Sequence, residues 1–429
     1  MRRTSGKKPN PDYLKIPPAP QGTAAISFKN ILMSFNYPNY RLWFLGQVIS
    51  LFGTWMQTTA QGYLVFELTK SPAYLGYTAF AVGLSVWIFM PIGGVAADRF
   101  PRRVLLIITQ SSLMVLAFVI FSLTIMKIIE PWHILVLSFF QGIITAFDAP
   151  ARHSFVTEMV TKESLSNAIA LNSAMFNMAT ISGPAISGVI YALFGPTYCF
   201  LINAISYMAV ILALSFMKIK SSIKHTGKAS FLSDIKEGIA YVVSQPVIFT
   251  LLILIIFFSF FGFSMMTLLP AWAVNILKGD ATTNGLLQSA RGVGAFLSVI
   301  IIASLGRFKF KGKLLTLGVF VFPVFLFIFS LMRILLTSLL AMVLIGASLI
   351  LIFNLANSLI QMLVDEKMRG RVMSLYSMTF FGFSPLGGLL LGFTAEKNGE
   401  FITMISCSFI LIITAIILWV IYPGLIRLE

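Results

Sequence analysis

The chain has 429 residues, of which 58% are hydrophobic and only 11% are charged, and its mean hydropathy is +0.90. A water-soluble protein of this length needs a far more charged surface, and its core could not bury so many apolar residues. The apolar residues form long uninterrupted blocks, whereas the strands of a membrane β-barrel alternate apolar and polar residues. The sequence therefore predicts an all-α membrane protein that crosses the bilayer many times.

Each block is long enough to cross a bilayer as a helix, since the hydrocarbon core takes about 20 apolar helical residues. We predict twelve membrane-spanning helices, one for each block in chain order. They cover residues 42–66, 74–97, 104–126, 134–151, 167–194, 198–217, 247–270, 284–305, 314–332, 338–360, 372–394 and 401–423.

The basic residues are concentrated in every second connection between the blocks. With the N-terminus in the cytoplasm, 25 of the 31 basic residues fall in cytoplasmic segments, five fall in outer segments, and Arg291 lies inside the eighth block. Because cytoplasmic loops carry an excess of Lys and Arg, both termini are predicted to be cytoplasmic in a multi-pass protein of the plasma (inner) membrane. The net charge of +16 thus reflects topology, and nothing else in the sequence supports binding to nucleic acid.

A charged, helix-breaking stretch after the sixth block divides the chain into two halves of six helices. The halves resemble each other, because Gly76 and Gly83 recur as Gly285 and Gly292, both 209 positions later. Internal repeats in a chain of this kind imply two similar bundles around a central site near the bilayer midplane. The predicted organisation is a cytoplasmic basic tail (1–40), a first six-helix bundle (41–217), a central cytoplasmic linker (218–246) and a second bundle (247–429).

A group of charges interrupts the apolar sequence between the second and third blocks, where residues 94–103 read GVAADRFPRR. This loop resembles the signature loop of the major facilitator superfamily of transporters. In the fifth block, residues 183–188 read GPAISG and are similar to the motif of the superfamily's exporters. The residues that carry these two likenesses are Gly94, Asp98, Arg99, Arg102, Arg103, Gly183, Pro184 and Gly188.

Three further stretches narrow the resemblance: NYRLWFLGQVISLFGTWMQ, FQGIITAFDAPARHSFVTEMV and RGRVMSLYSMTFFGFSPLGG. They look like the branch that contains the enterobactin exporter and the transmembrane secretion effectors, and the likeness extends from residue 38 to about 423. The resemblance implies a transporter without enzymatic activity, built from two six-helix bundles. It also implies a small-molecule substrate and a central cavity lined by helices one, four, seven and ten.

The resemblance assigns a gating role to the charged loop. Asp98 ends helix two, Arg102 follows it, and Asp148 lies near the cytoplasmic end of helix four. Since charges are costly in a low-dielectric interface unless they pair, the three groups are expected to form an ion cluster that latches the inner gate in one conformation. The alternative, open above all for Arg99 and Arg103, is that the arginines merely follow the positive-inside rule.

The motif of the fifth block suggests close helix packing. Gly183, Ser187 and Gly188 offer small surfaces, and Pro184 removes a backbone hydrogen bond and bends the helix. The bend is expected to help seal the bundle, although ordinary helix packing would use the same residues.

Polar side chains recur at helical spacing along three blocks, which places each set on one face of its helix. Such stripes should avoid lipid, so we expect them to line a wet substrate pathway; hydrogen bonding between helices is the alternative. The sets are Gln47, Ser50, Thr54, Gln57 and Gln61 on helix one, Gln141, Thr145 and Asp148 on helix four, and Asn354, Asn357 and Gln361 on helix ten.

Arg291 is the one basic residue well inside a predicted helix. Counted from Asn284, it lies about 10 Å deep, and lipid exposure there would cost at least about 2.5–3.5 kcal/mol. We expect Arg291 to contact an anionic group of the substrate; snorkelling to the outer surface is the competing explanation.

The sequence contains no Walker A motif, so transport is expected to use a gradient, most simply of protons. Asp148 and Glu67 are the available titratable groups near the pathway, and Ser138 stands where the family's fourth helix often has arginine. The expected function is export of a small amphiphilic or anionic compound, such as a siderophore or drug-like metabolite, by a monomer without cofactor or metal. A lipid or lysolipid transporter, a uniporter or importer, and a non-transporting membrane receptor are the alternatives.

Overall fold

The structure is a computed structural model that describes residues 33–217, 231–305, 310–422 and 424. Most of the predicted basic tail and part of the predicted linker therefore lie outside the described residues. Helices of the first half are α1 (Pro38–Thr69), α2 (Pro72–Arg99), α3 (Arg102–Ile125), α4 (Pro131–Phe155), α5 (Lys162–Phe194) and α6 (Pro196–Phe216).

The second half begins with a linker helix (Phe231–Ser244). The helices that follow are α7 (Pro246–Ile276), α8 (Ala281–Ser304), α9 (Lys311–Leu331), α10 (Leu335–Leu363), and α11 and α12, which share the helical stretch Arg369–Ile421. Gly399 has a φ of 82° inside that stretch, a backbone conformation that favours glycine, and it separates α11 (369–398) from α12 (400–421).

The local sequence explains where these helices start and stop. Proline occupies the first helical positions of α1, α2, α4, α6 and α7, where its fixed φ suits the helix and its missing N–H costs nothing. Gly195 ends α5 with a φ of 86°. Within α7 the backbone changes to π-helical turns at Phe258–Gly262 and Trp272–Ile276, so α7 is irregular along its apolar length.

Ten helical stretches among the described residues are long and apolar enough to cross a membrane. The number falls short of twelve for two reasons. The stretch Arg369–Ile421 is a single span in this count although Gly399 divides it, and α1 is not apolar enough because its polar stripe lowers its hydropathy. A multi-pass helical membrane protein is confirmed, while twelve spans and cytoplasmic termini stay predictions.

The two halves meet along two helix pairs, which we call the seams. The first seam joins α2 to α11, and the second joins α5 to α8. The glycines of the sequence repeat lie in these seams. A Cβ at Gly76 would come within 2.8 Å of the Gly388 carbonyl oxygen, and one at Gly292 within 2.9 Å of the Thr180 oxygen. The repeat thus places small residues where helices of the two halves come into backbone contact.

The described residues next to the predicted boundary of the tail are helical. Helix α1 begins at Pro38, and a short 3-10 helix, Met33–Asn36, precedes it. Tyr40 is fully buried, and its hydroxyl donates to the Ala168 carbonyl oxygen of α5 at 3.0 Å. The start of α1 is thereby held against α5, and the division into tail, bundles and linker stays a prediction.

The linker helix packs against the second half. Arg371 Nη1 of α11 lies 2.9 Å from Glu237 Oε2, and the Tyr241 hydroxyl lies 3.1 Å from Asp365 Oδ2. Burial raises the pKa of Tyr241 above its ordinary value, which further favours the protonated hydroxyl that donates to Asp365. Part of the predicted linker is therefore an ordered helix fixed to the start of α11.

Candidate substrate cavity and gate

The ends of the helices define two faces. The face that carries Arg102, Arg152 and Arg369 is called the basic face. The face that carries Ser71, Gly195 and Gly399 is called the opposite face. The two faces differ in how closely the halves of the molecule approach each other.

At the opposite face the two halves are joined. A Cβ at Gly285 would overlap the Pro184 carbonyl oxygen, and one at Gly188 would come within 2.8 Å of the Ala281 oxygen. On the other seam, Ser71 Oγ at the start of α2 donates to Glu396 Oε2 of α11 at 2.7 Å. Both seams are therefore closed at this face.

At the basic face the first seam is open. Gly76, Gly83 and Gly94 are spaced by seven and eleven residues, which puts them on one face of α2. Gly76 and Gly83 contact α11, but nothing lies within 4 Å of a Cβ built at Gly94. The same holds for Gly370 on α11, which lies eighteen residues and five turns before Gly388.

A polar cavity of about 440 Å³ opens at the basic face, between the end of α10 and the start of α11. The stripe predicted on helix ten lines it: Asn354 and Gln361 are exposed, and the Gln361 amide donates to Asn357 Oδ1. The lining residues are Asn354, Asn357, Ser358, Gln361, Met362 and Arg369. A cavity of this size can hold a small organic molecule; contact of this stripe with a substrate stays a prediction.

The stripe on α1 has a different environment. Asn203 Nδ2 of α6 donates to Gln57 Oε1 at 2.6 Å, and Gln61 Nε2 donates to Ser138 Oγ of α4 at 2.8 Å. Thr54 lies 3.4 Å from the Tyr207 hydroxyl, and Gln47 is also buried. In this conformation the stripe faces the interior of the first half, because α4 and α6 offer the partners that buried amides need.

Gln57 and Gln61 thus form the interhelical hydrogen bonds that were the alternative interpretation. Together with Gln141 and Tyr207 they line an internal cavity of about 10 Å³, which is close to the space that one water molecule occupies. Contact of the α1 stripe and Gln141 with a substrate stays a prediction.

The charged loop forms two ion pairs. Arg102 Nη1 lies 2.7 Å from Glu158 Oε1, and its Nη2 lies 4.0 Å from Asp98 Oδ1. The side chains of Arg102 and Glu158 are 15% and 13% exposed, so solvent screens this pair less than a surface pair. Asp98 is 49% exposed and lies at the open end of the first seam.

Asp148 lies apart from Asp98 and Arg102 in this conformation, which is open at the basic face. Its carboxylate is buried and accepts hydrogen bonds from Thr109 Oγ1 and Gln110 Nε2 of α3, both at 2.8 Å. Its charge is paired with Arg152, 3.2 Å away and one helical turn later. The ion cluster expected for the closed inner gate stays a prediction.

Glu158 is the functional candidate that the sequence reasoning missed. It lies in the short turn Val156–Glu158 after α4, and this turn brings its carboxylate to Arg102. The signal was present, since Glu158 is an acid on the predicted cytoplasmic side, where charged partners for the loop arginines were to be expected.

The other two loop arginines differ from each other. Arg103 Nε and Nη2 donate to the carbonyl oxygens of Leu214 and Ser215, each at 2.7 Å, in the last turn of α6. A cation at this position satisfies free carbonyls and interacts well with the helix dipole. Arg99 is exposed at the end of α2. Arg103 thus fixes α3 to α6, whether or not its charge also helps to set the orientation of the protein in the membrane.

The motif of α5 presents small residues in two directions. Gly183 faces α1, where a Cβ would come within 2.6 Å of Trp55 Cβ, and Ser187 Oγ donates to the Met56 carbonyl oxygen at 2.8 Å. Pro184 and Gly188 face α8 across the second seam. The motif therefore binds α5 to its own half and closes the opposite face at the same time.

Arg291 lies in the middle of α8. It is ten residues from the first residue of the helix, or about 15 Å from the opposite-face end, which is deeper than the sequence suggested. Its Nε is buried and has no hydrogen-bond partner among the described residues. The backbone of Arg291 packs on Gly346 of α10, where a Cβ would overlap its carbonyl oxygen.

Two helical halves with a polar cavity open at one face define a membrane transporter of the major facilitator type. The chain belongs to the transmembrane secretion effector family, whose family model matches residues 32–423. This confirms the resemblance of the motifs, and it makes the protein a transporter rather than an enzyme.

Relatives with assigned functions cover most of the chain. The Staphyloferrin A transporter of Staphylococcus aureus is 24% identical over 84% of this chain and 90% of its own length. The Macrolide efflux protein A of Streptococcus pyogenes is 20% identical over 84% and 90%, and the Enterobactin exporter EntS of Shigella flexneri is 21% identical over 93% and 95%.

Solved structures support the fold. A mutant of the peptide transporter POT superposes with a TM-score of 0.72 and 12% identity, over 95% of this chain and 100% of that one. A bacterial homologue of the human lysosomal transporter Spinster gives 0.69 and 12% identity, over 93% and 98%.

Proposed function

We propose that the protein exports a small amphiphilic or anionic compound across the inner membrane by alternating access, driven by the proton gradient. The observation that carries this proposal is an asymmetry between the two faces: both seams are closed at the opposite face, whereas at the basic face the first seam is open and a polar cavity lies at the end of α10. If the basic face is cytoplasmic, as the positive-inside rule predicts, a substrate enters this cavity from the cytoplasm.

Export then requires the seams to open at the opposite face and to close at the basic face. Closure would bring Gly94 and Gly370 into the contacts that Gly76 and Gly388 make now. It would also carry Asp98 towards α11 and change the electrostatic surroundings of the Arg102–Glu158 pair. In this way the charged loop acts as the latch of the closed inner gate.

The names of the relatives support the substrate class. A staphyloferrin transporter, a macrolide efflux protein and an enterobactin exporter all handle organic molecules larger than an inorganic ion. The cavity offers amides and an arginine beside Met362, a surface suited to a compound with polar and apolar parts. One chain supplies both halves and the cavity, so the proposed transporter acts as a monomer.

A transport assay tests the proposal directly. The purified protein is reconstituted into liposomes with the basic face outward, and uptake of staphyloferrin A, enterobactin and the macrolide erythromycin is measured with an acidic or neutral lumen. We expect uptake of at least one compound with the acidic lumen and its loss when a protonophore is added. An Asp98→Asn variant, with normal insertion, is the matched inactive control.

The alternatives give different results in the same vesicles. Uptake that is equal with and without the pH gradient would indicate a uniporter, and movement in the reverse direction an importer. Transfer of a fluorescent lysophosphatidylcholine between leaflets, without uptake of the soluble compounds, would indicate a lysolipid transporter. Any of these three results would contradict proton-driven export of a small compound.

A further inference from the structure

A row of polar side chains lies on one face of α8. Asn284, Gln288 and Arg291 are spaced by four and three residues, so they share a helical face. Gly285 and Gly292 mark the neighbouring face that packs on α5, and Gly294 marks the face that packs on α10. The row between these faces therefore points towards the interior between the two halves of the molecule.

The row contains hydrogen-bond donors without acceptors. Asn284 is fully buried, and its Nδ2 has no partner; the buried Nε of Arg291 has none either. Thr59 Oγ1 of α1 donates to Gln288 Oε1 at 3.5 Å, and Gln288 Nε2 donates to Asn284 Oδ1 at 3.3 Å. These bonds use the amide oxygens of both residues, and they leave the Asn284 N–H groups free to donate.

Within the described part of the chain, Arg291 has no counter-charge. Arg291 forms no ion pair with a carboxylate of the described residues. The opposite-face end of α8 is about 15 Å away, further than an arginine side chain extends, so snorkelling does not explain the position. Buried donors are normally satisfied, and a permanently charged guanidinium inside a membrane protein requires water, an acid or an anionic ligand.

One face of α10 extends from the open cavity to the level of this row. On α10 the residues Ala347, Ile350, Asn354 and Asn357 share this face, and all of them retain some exposure. Asn354 lines the cavity at the basic face, whereas Ala347 follows Gly346, which packs on the backbone of Arg291. A ligand that follows this face from the cavity would reach the level of Arg291.

We propose that Arg291 and Asn284 form an anion subsite that binds the carboxylate of an amphiphilic organic anion. The guanidinium supplies charge and paired N–H donors, and Asn284 supplies two further N–H donors to an acceptor that approaches along α8. This inference rests on the proposed function, because it identifies the charge class of the transported compound.

Equilibrium binding tests the subsite independently of transport. The full chain is placed in nanodiscs of phosphatidylcholine, and binding of 1-naphthoate is compared with that of 1-naphthylmethylammonium, which has the same ring and the opposite charge. Arg291→Gln should weaken naphthoate binding at least tenfold and change ammonium binding less than twofold. Arg291→Lys should retain part of the naphthoate affinity, between the wild type and Arg291→Gln, because the charge remains although the paired donors are lost.

Two further variants separate binding from folding. Arg333→Gln removes an arginine that already donates to the Ser330 and Met332 carbonyl oxygens, and it should leave naphthoate binding unchanged. Asn284→Asp puts a carboxylate beside the free donors and should weaken naphthoate binding at least tenfold, even if Arg291→Gln fails to fold. Repeating the assay with phosphatidylglycerol in the nanodisc shows whether a lipid phosphate competes for the subsite.

The outcomes distinguish the subsite from the proposed function. Unchanged naphthoate binding in folded Arg291→Gln or Asn284→Asp protein would overturn the subsite, whatever the transport assay shows. Charge-selective binding that depends on Arg291, combined with no proton-driven uptake of any compound, would support the subsite and reject proton-driven export. Competition by phosphatidylglycerol would overturn the assignment to a transported compound in favour of a lipid headgroup.

Discussion

Gly285 of α8 lies directly against the carbonyl oxygen of Pro184 in α5, so closely that any Cβ at position 285 would overlap it. The two residues belong to different halves of the molecule, and their contact closes the second seam at the opposite face. Gly76 makes the equivalent contact with Gly388 in the first seam. Gly76 and Gly285 are equivalent positions of the sequence repeat, and each makes a close contact in its own seam.

We expect Gly285→Leu to prevent closure of the opposite face and to reduce uptake at least tenfold. Gly188→Leu should do the same, because a Cβ there meets the Ala281 carbonyl oxygen and the Thr282 Cα, both at 2.8 Å. Gly62→Ala is the matched control, since its Cβ would lie 3.8 Å from Pro270 in ordinary contact. Full uptake by both leucine variants, at normal expression in the membrane, would show that close seam packing is unnecessary.

The Arg102–Glu158 pair should be required for gating. Arg102→Ala or Glu158→Gln leaves a partly buried charge unpaired, and we expect either change to cut uptake strongly without preventing insertion. The exchange of both residues, Arg102→Glu with Glu158→Arg, should recover a measurable part of the uptake. If the double exchange loses as much uptake as the single variants, gating depends on having arginine at position 102 and glutamate at position 158, and not on their ion pair alone.

Asp148 should stabilise the first half more than it affects the gate. Asp148→Asn keeps an acceptor for Thr109 and Gln110 but removes the charge that pairs with Arg152, and we expect a loss of about 1.5–3 kcal/mol of stability. Thermal unfolding in detergent is the measurement, and Arg99→Gln at an exposed position is the control. An unfolding temperature equal to that of the wild type would mean that the negative charge of Asp148 makes no net contribution to stability.

Glu396 should favour the conformation that is closed at the opposite face. It accepts hydrogen bonds from Ser71 Oγ at 2.7 Å and from the Ala73 backbone N–H at 3.4 Å, so its charge also lies at the N-terminus of α2. Glu396→Gln weakens a charge-assisted bond across the seam, and we expect a several-fold rise in the population that is open at this face. Accessibility of a cysteine at Thr282 to a membrane-impermeant maleimide measures that population. If the variant is labelled at the wild-type rate, the Glu396 carboxylate does not stabilise the closed opposite face.

The sequence predicted the fold class and family well because both depend on features that recur along the chain. Apolar blocks, the distribution of basic residues and short motifs are local patterns, and the family match from residue 32 to 423 confirms the interpretation of the motifs. Asn354 and Asn357 of the α10 stripe line the cavity, and their contact with a substrate stays a prediction.

The pairing of side chains was harder to predict, because it depends on how helices rotate about their axes. The sequence showed that Gln57 and Gln61 share a face of α1, but it gave no direction for that face, which points to α4 and α6. For the same reason the sequence did not indicate Glu158, which is the ion-pair partner of Arg102 in this conformation.

Two distances, one across each face of the protein and each measured in its own doubly labelled variant, test alternating access most directly. Cys199 and Cys407 are both buried and are replaced by alanine. Spin labels are then attached in pairs at exposed positions, Phe100 with Lys367 for the basic face and Leu193 with Lys397 for the opposite face. Double electron–electron resonance gives the distance distribution of each pair in liposomes, with and without a transported compound and an acidic lumen.

We predict a long basic-face distance and a short opposite-face distance in the resting protein. Substrate and the pH gradient should then populate a second state in which the basic-face distance shortens while the opposite-face distance lengthens. Distances that stay fixed under all conditions, or that lengthen at both faces together, would contradict alternating access between the two seams.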